Sequence, residues 1–179
     1  MNPRDVFKPK EDGLEDKLPK YEEELKIPLK IHGITYEIKI KEYECLMQIL
    51  KESGTKLEDV KKYDPKNNQK YFGIRIENYS ITKLQMNHYQ LQKMPYLKEL
   101  SQLQTLNLRK NFIKKIEELD YLNKLEFINL NFNRIHEIEG LEKLSKLKKI
   151  LLVGNFIIRD EENNKAIKKL IKNEVNILV

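Results

Sequence analysis

Apolar residues in the middle of this chain return on a fixed 22-residue beat. Four copies align, beginning at Ile81, Leu103, Leu125 and Leu147. Apolar side chains hold the first, fourth and sixth positions: Ile81, Leu84, Met86; Leu103, Leu106, Leu108; Leu125, Ile128, Leu130; Leu147, Ile150, Leu152. Later slots fall at Leu91, Ile113, Ile135 and Ile157, and at Met94, Ile116 and Ile138. The short alternating core of each copy predicts a strand buried on one face. A period in the twenties predicts coils whose strands stack side by side into a parallel sheet, with rows of leucines that no single unit could bury alone.

Either side of the repeats the periodicity changes. Strict alternation runs through Ile27, Leu29, Ile31, Ile34, Tyr36, Ile38 and Ile40, broken by His32-Gly33. It predicts a β-hairpin with one buried face, in which Gly33 supplies a positive φ and His32 is a turn residue rather than a ligand. Tyr43, Leu46, Met47 and Leu50 stand at helical spacing within Lys41 to Ser53, widened by Cys45 and Ile49 and closed by Gly54. Residues 55–70 are polar, with turn signals at Asp64-Pro65 and Asn67-Asn68. They read as a loop with a short helical turn near Leu57 and Val60. Alternation through Phe72, Ile74 and Ile76, then a turn at Asn78-Tyr79, predicts a second hairpin leading into the first repeat.

Beyond Phe156, Ile157 and Ile158 the repeat stops. Asp160, Glu161 and Glu162 stand where carboxylates meet the unpaired N–H groups of a helix start, a better use for them than a metal. Ala166, Ile167, Leu170 and Ile171 make that helix amphipathic, and Val175, Ile177, Leu178 and Val179 add a last apolar segment. The expected architecture is α/β: a solenoid over 81–158 with a parallel concave sheet, a hairpin–helix cap over 27–80 and a helical cap over 159–179. Residues 1–26, charged and poor in apolar side chains, predict a flexible tail.

The ninth position of the repeat is Asn111, Asn133 and Asn155 in three copies and Tyr89 in the first. A carboxamide carries both donor and acceptor, so just past each strand it can bridge neighbouring coils. The residues between the leucines point away from the core, and the repeat does not dictate them. They form columns: Lys83, Thr105, Phe127, Lys149; Gln85, Asn107, Asn129, Leu151; Asn87, Arg109, Asn131, Val153; and His88, Lys110, Phe132, Gly154. Amides and Arg109 dominate the first half of this face; Phe127, Phe132, Leu151 and Val153 make the second half more apolar. Aromatic and aliphatic side chains beside an arginine have the composition of a protein-binding hot spot. All of these columns except His88, Lys110 and Gly154 are the candidate partner-binding set.

Composition narrows the function classes. The 34 Lys and Arg against 28 Asp and Glu give +6, with both signs interspersed, so the surface is solvated first and basic second. One cysteine excludes an internal disulfide framework and suits a reducing, cytoplasmic setting; Cys45 reads as a small buried hydrophobe. No signal-like or membrane-spanning run is apparent. No P-loop, GxGxxG, GxSxG, HExxH or paired CxxC occurs, and His32, His88 and His136 are scattered. No catalytic residue, cofactor or metal is expected.

The units "LSQLQTLNLRKNFIKKIEELDY" and "LNKLEFINLNFNRIHEIEGLEK" resemble the 22-residue subclass of leucine-rich-repeat proteins, typified by a regulatory subunit of protein phosphatase 1 and the spliceosomal A-prime protein. The stretch "YFGIRIENYSITKLQM" is similar to predicted Asgard-archaeal repeat proteins. The resemblance implies a curved solenoid binding a protein on its concave sheet, with a regulatory enzyme or a small GTPase as a partner class suggested by fold analogy alone. The alternative it raises is an accessory protein of a ribonucleoprotein, for which Arg109, Lys110, Lys146, Lys148 and Lys149 are the basic candidates, although direct nucleic-acid contact is not expected. Tyr89 departs from the subclass pattern, and no phosphatase-binding residue carries over.

Overall fold

The computed structural model describes residues 25–141 and 143–179. The tail expected over 1–26 therefore lies, but for Leu25 and Lys26, outside the described residues. Strand β1 (Lys26–Ile31) pairs antiparallel with β2 (Ile34–Lys39), and helix α1 (Ile40–Ser53) follows directly. His32 and Gly33 both take positive φ, 48° and 79°, as the tight turn between two twisted strands requires. Leu29, Ile31 and Ile38 of this hairpin are buried. Ile34, expected on the same face, is instead exposed: it opens β2 beside the turn, where no element lies over it.

Helix α1 buries Cys45, Leu46, Ile49 and Leu50 and stops at Gly54, whose left-handed conformation lets its N–H reach back to Leu50 and Lys51. A 3-10 turn at Leu57–Asp59 and a two-residue strand β3 (Lys61–Lys62) follow. Nothing in the polar composition of 55–70 announced β3, which pairs parallel to β4 (Tyr71–Glu77). Strand β4 turns through Asn78 and Tyr79 into β5 (Ser80–Asn87), the strand of the first coil.

Strand β5 is antiparallel to β4, and every strand after β5 is parallel to the one before. β6 (Thr105–Asn107), β7 (Phe127–Asn129) and β8 (Lys149–Leu151) pair at the 22-residue offset, Leu84 beside Leu106, Ile128 and Ile150. After helix α2 (Glu161–Lys172), β9 (Asn176–Leu178) adds itself to β8, so one sheet of seven strands runs from β3 to β9. One continuous core lies behind it, with Leu84, Leu106, Ile128 and Ile150 fully buried in a row. At about 1.5–3 kcal/mol for each buried aliphatic side chain, this row and its neighbours dominate what holds the coils together.

The asparagines bridge the coils as their donor and acceptor chemistry requires. Asn133 donates to Leu108 O and Leu130 O and accepts from Ile113 N; Asn155 donates to Leu130 O and Leu152 O and accepts from Ile135 N. Asn111 makes the equivalent bonds to Met86 O and Leu108 O and takes Tyr89 N and Leu91 N. Each bridge joins a coil to the one before it. The first coil has an antiparallel hairpin before it instead, which explains Tyr89: no earlier coil needs an amide, and the ring packs edge-on against Phe72 at 5.8 Å. At the far end Asn163 of α2 takes the same role, accepting from Ile138 N and donating to His136 O and Ile158 O. Asp160 caps α2 through Asn163 N at 2.8 Å.

Candidate functional site

The strands hold the first two columns on the sheet face opposite the core, and the register aligns them across coils: Lys83, Thr105, Phe127 and Lys149 in one row, Gln85, Asn107, Asn129 and Leu151 in the next; Arg109, Asn131 and Val153 follow just past the strand ends. The face is longer than the repeats alone suggest. Pairing of β4 with β5 sets Arg75 beside Lys83, and pairing of β9 with β8 sets Leu178 beside Leu151. Leu178 was legible only as part of a closing apolar segment, because its place beside Leu151 depends on where the chain returns after α2.

The first half of the face is not open. Residues 63–70, between β3 and β4, cross it as a strap. Gln85 accepts from Asp64 N and donates to Asn67 O; Asn87 donates to Asn67 O at 2.8 Å. Arg109 Nη1 donates to Asn68 Oδ1 at 2.8 Å, and His88 meets Asn68 O at 3.0 Å. Tyr63 lies under the Lys83 ammonium, 5.6 Å from the ring centre. Gln85, Asn87 and Asn107, expected as accessible contacts, are buried at 0, 1 and 4% exposure. Alternation placed them away from the leucines, but the chain's own strap covers the first two.

The second half is open. Thr105, Phe127, Asn129, Asn131, Lys149 and Leu151 are half-buried, and Phe132, Val153 and Leu178 are 44, 41 and 46% exposed. Phe132 stands out. It sits at φ 58°, in a column of left-handed residues with His88, Lys110 and Gly154, where the chain turns after each strand. A bulky residue there carries backbone strain of about 1–3 kcal/mol, and such outliers concentrate where a side chain is needed for more than folding. Its ring runs from Arg109, whose guanidinium lies 5.0 Å from the ring centre, to Gly154. A Cβ on Gly154 would come within 2.6 Å of the ring, so the missing side chain is what lets Phe132 lie across the neighbouring coil.

The basic set splits. Lys148 is paired with Glu126 at 2.8 Å and Arg109 is held by the strap, while Lys110 and Lys149 have no carboxylate partner among the described residues. A second set of ring contacts lies just past the asparagines: Arg134 over Phe112 at 4.3 Å, and the His136 ring stacked on Phe156 at 5.7 Å. Sequence reasoning missed it because position ten has no periodic partner in the core pattern.

Cys45 is buried, its Sγ 3.3 Å from Tyr96 O, and burial pushes the thiol up to about 12. It packs as a small hydrophobe, away from the sheet face. Among the described residues no group of three His, Cys, Asp or Glu is arranged to hold a metal, and no helix is long and apolar enough to cross a membrane.

No family model matches this chain, and no curated protein does. Similar solved structures include a leucine-rich-repeat protein of Leptospira interrogans, 24% identical with a TM-score of 0.43, covering 49% of this chain and 22% of its own. An internalin of Listeria monocytogenes is 30% identical with a TM-score of 0.39, covering 42% of this chain and 22% of its own. The Drosophila melanogaster SNF/U2A' complex is 24% identical with a TM-score of 0.44, covering 57% of this chain and 64% of that one. The chain thus spans about a fifth of the length of the first two.

Proposed function

We propose that this chain is a protein-interaction module of the 22-residue leucine-rich-repeat kind. In this reading it is a short solenoid closed by the units at 27–80 and 159–179, docking a partner protein on the open half of its concave face. The observation that carries the reading is Phe132: strained, exposed and braced by Arg109, beside Phe127, Leu151, Val153 and Leu178. An aromatic anchor among aliphatic side chains with an arginine alongside is the arrangement in which a few residues carry most of an interface's energy. The bonded strap leaves the first coil little to offer a partner, so contact falls on the coils that begin at Leu103, Leu125 and Leu147. The test is quantitative affinity capture with the full chain and with a Phe127→Ala, Phe132→Ala, Val153→Asp variant, both confirmed folded. A discrete set of captured proteins should be lost with the variant. Identical capture by the two chains overturns the assignment to this face.

A further inference from the structure

The strap already shows how this face holds a length of chain. It offers acceptors: Asn67 O takes a bond from both Gln85 and Asn87, Asn68 Oδ1 takes one from Arg109, and only Asp64 N donates. The open coils extend the same chemistry. Asn129 Oδ1 accepts from Asn131 N, and Asn131 Oδ1 accepts from Val153 N. With their oxygens engaged, both carboxamides present their NH2 groups as donors. Lys110 and Lys149 add two ammonium groups.

The columns carry no carboxylate. The chain has 28 Asp and Glu, and none falls on the sixteen column positions from Lys83 to Gly154. Three acids close to these columns in sequence or strap have partners of their own: Glu126 pairs with Lys148, Glu77 with Arg75 at 3.7 Å, and Asp64 Oδ1 accepts from Lys66 N. The open face is thus rich in donors and cations, short of free acceptors, and floored by Leu151, Val153 and Leu178.

Resting on the protein-interaction reading, we propose that the occupant is an extended acidic segment of a partner protein, lying across the sheet onward from the strap. Its main-chain carbonyls take the NH2 groups of Asn129 and Asn131, as Asn67 O takes those of Gln85 and Asn87. Its carboxylates face Lys110 and Lys149, and one apolar side chain packs on Leu151, Val153 and Leu178. Charge complementarity of this kind selects the partner and speeds encounter. Single-stranded nucleic acid is the poorer match, because it needs open aromatic faces for its bases. Phe132 has Arg109 on its ring and Gly154 against it, and Phe127 is half-buried.

The test is selection of a displayed library of random 16-residue peptides on the full chain, then fluorescence polarisation of the selected peptides. Each is measured against wild type, Lys149→Glu and Val153→Asp, two partly exposed positions checked for folding by circular dichroism. The expected peptides carry a surplus of Asp and Glu around an aromatic or aliphatic residue, lose tenfold or more in affinity with either variant, and weaken as salt rises. Failure to enrich any peptide, a surplus of Lys and Arg, or acidic peptides indifferent to Lys149→Glu overturns the proposal, as does equal binding of a 15-nucleotide oligouridine at the same face. Neutral peptides that still lose affinity with Val153→Asp overturn only the acidic partner. Peptides indifferent to both variants overturn the docking face as well.

Discussion

Replacing Asn133 with alanine tests whether the asparagine bridges hold the coils together. Its side chain is 4% exposed and makes three bonds to the backbone. The losses are unequal. Leu108 O keeps the Nδ2 of Asn111 as a donor, and Leu130 O keeps that of Asn155. Each of these carbonyls forfeits one net hydrogen bond, about 0.5–1.5 kcal/mol. Ile113 N has no second acceptor among the described side chains, and a buried N–H left unpaired costs about 1–3 kcal/mol. Asn133→Ala should therefore destabilise the chain by about 2–6 kcal/mol, a large part of the 5–15 kcal/mol typical of a folded domain. Equilibrium urea unfolding followed by circular dichroism should show a lower midpoint with an unchanged slope. Asn133→Asp should cost at least as much, because it keeps the acceptor for Ile113 N but sets a carboxylate oxygen against two carbonyls. A loss below about 0.5 kcal/mol for the alanine variant, or a milder aspartate, would refute the accounting.

Two further outcomes follow from single residues. Gly154→Ala adds a Cβ 2.6 Å from the Phe132 ring at φ 74°, so it should lower stability by about 1 kcal/mol or more and displace the ring; unfolding and Phe132 ring shifts in NMR spectra report both effects. Glu42 is buried with Oε2 accepting from Ile81 N at 2.6 Å and Oε1 without a well-formed hydrogen bond among the described residues, and burial raises its carboxyl above the ordinary 4.5 despite the opposing pull of the Ile81 N–H and the nearby Ser80 hydroxyl. A raised carboxyl binds its proton more tightly folded than unfolded, so its contribution is full below pH about 4.5 and falls as pH climbs through the folded value. Glu42→Gln keeps an acceptor for Ile81 N without the charge. The stability of wild type minus that of Glu42→Gln should therefore decline from acid toward neutral pH, and a difference that rises with pH contradicts this account.

The parts of the fold that were legible in the residues are those governed by repetition and by local chemistry. Leu84, Leu106, Ile128 and Ile150 identify one another by spacing. Gly54 and Asp160 mark helix ends through backbone needs that do not depend on distant partners. The strap was not legible for the opposite reason. Asn67 and Asn68 have the composition of a turn, and only the fold brings them against Gln85, Asn87 and Arg109, 18 to 41 residues away. Period-two alternation says which side of a strand a residue takes; it says nothing of what lies over that side. For the same reason Gln85 reads as a contact and is interior, while Leu178 reads as closure and lies on the face.

The direction of the asparagine bonds bears on how such a chain can change in length. Among the described residues each bridge bonds only to its own coil and the one before, the strap bonds no further than Arg109, and Asn163 bonds to nothing earlier than His136. A duplicated 22-residue unit spliced in at Leu125 would meet on both sides the carbonyls and amides it needs. The strand count of the open face is thus free to grow by gene duplication while the two ends stay as they are. Recognition can lengthen here without the protein having to solve its folding problem again.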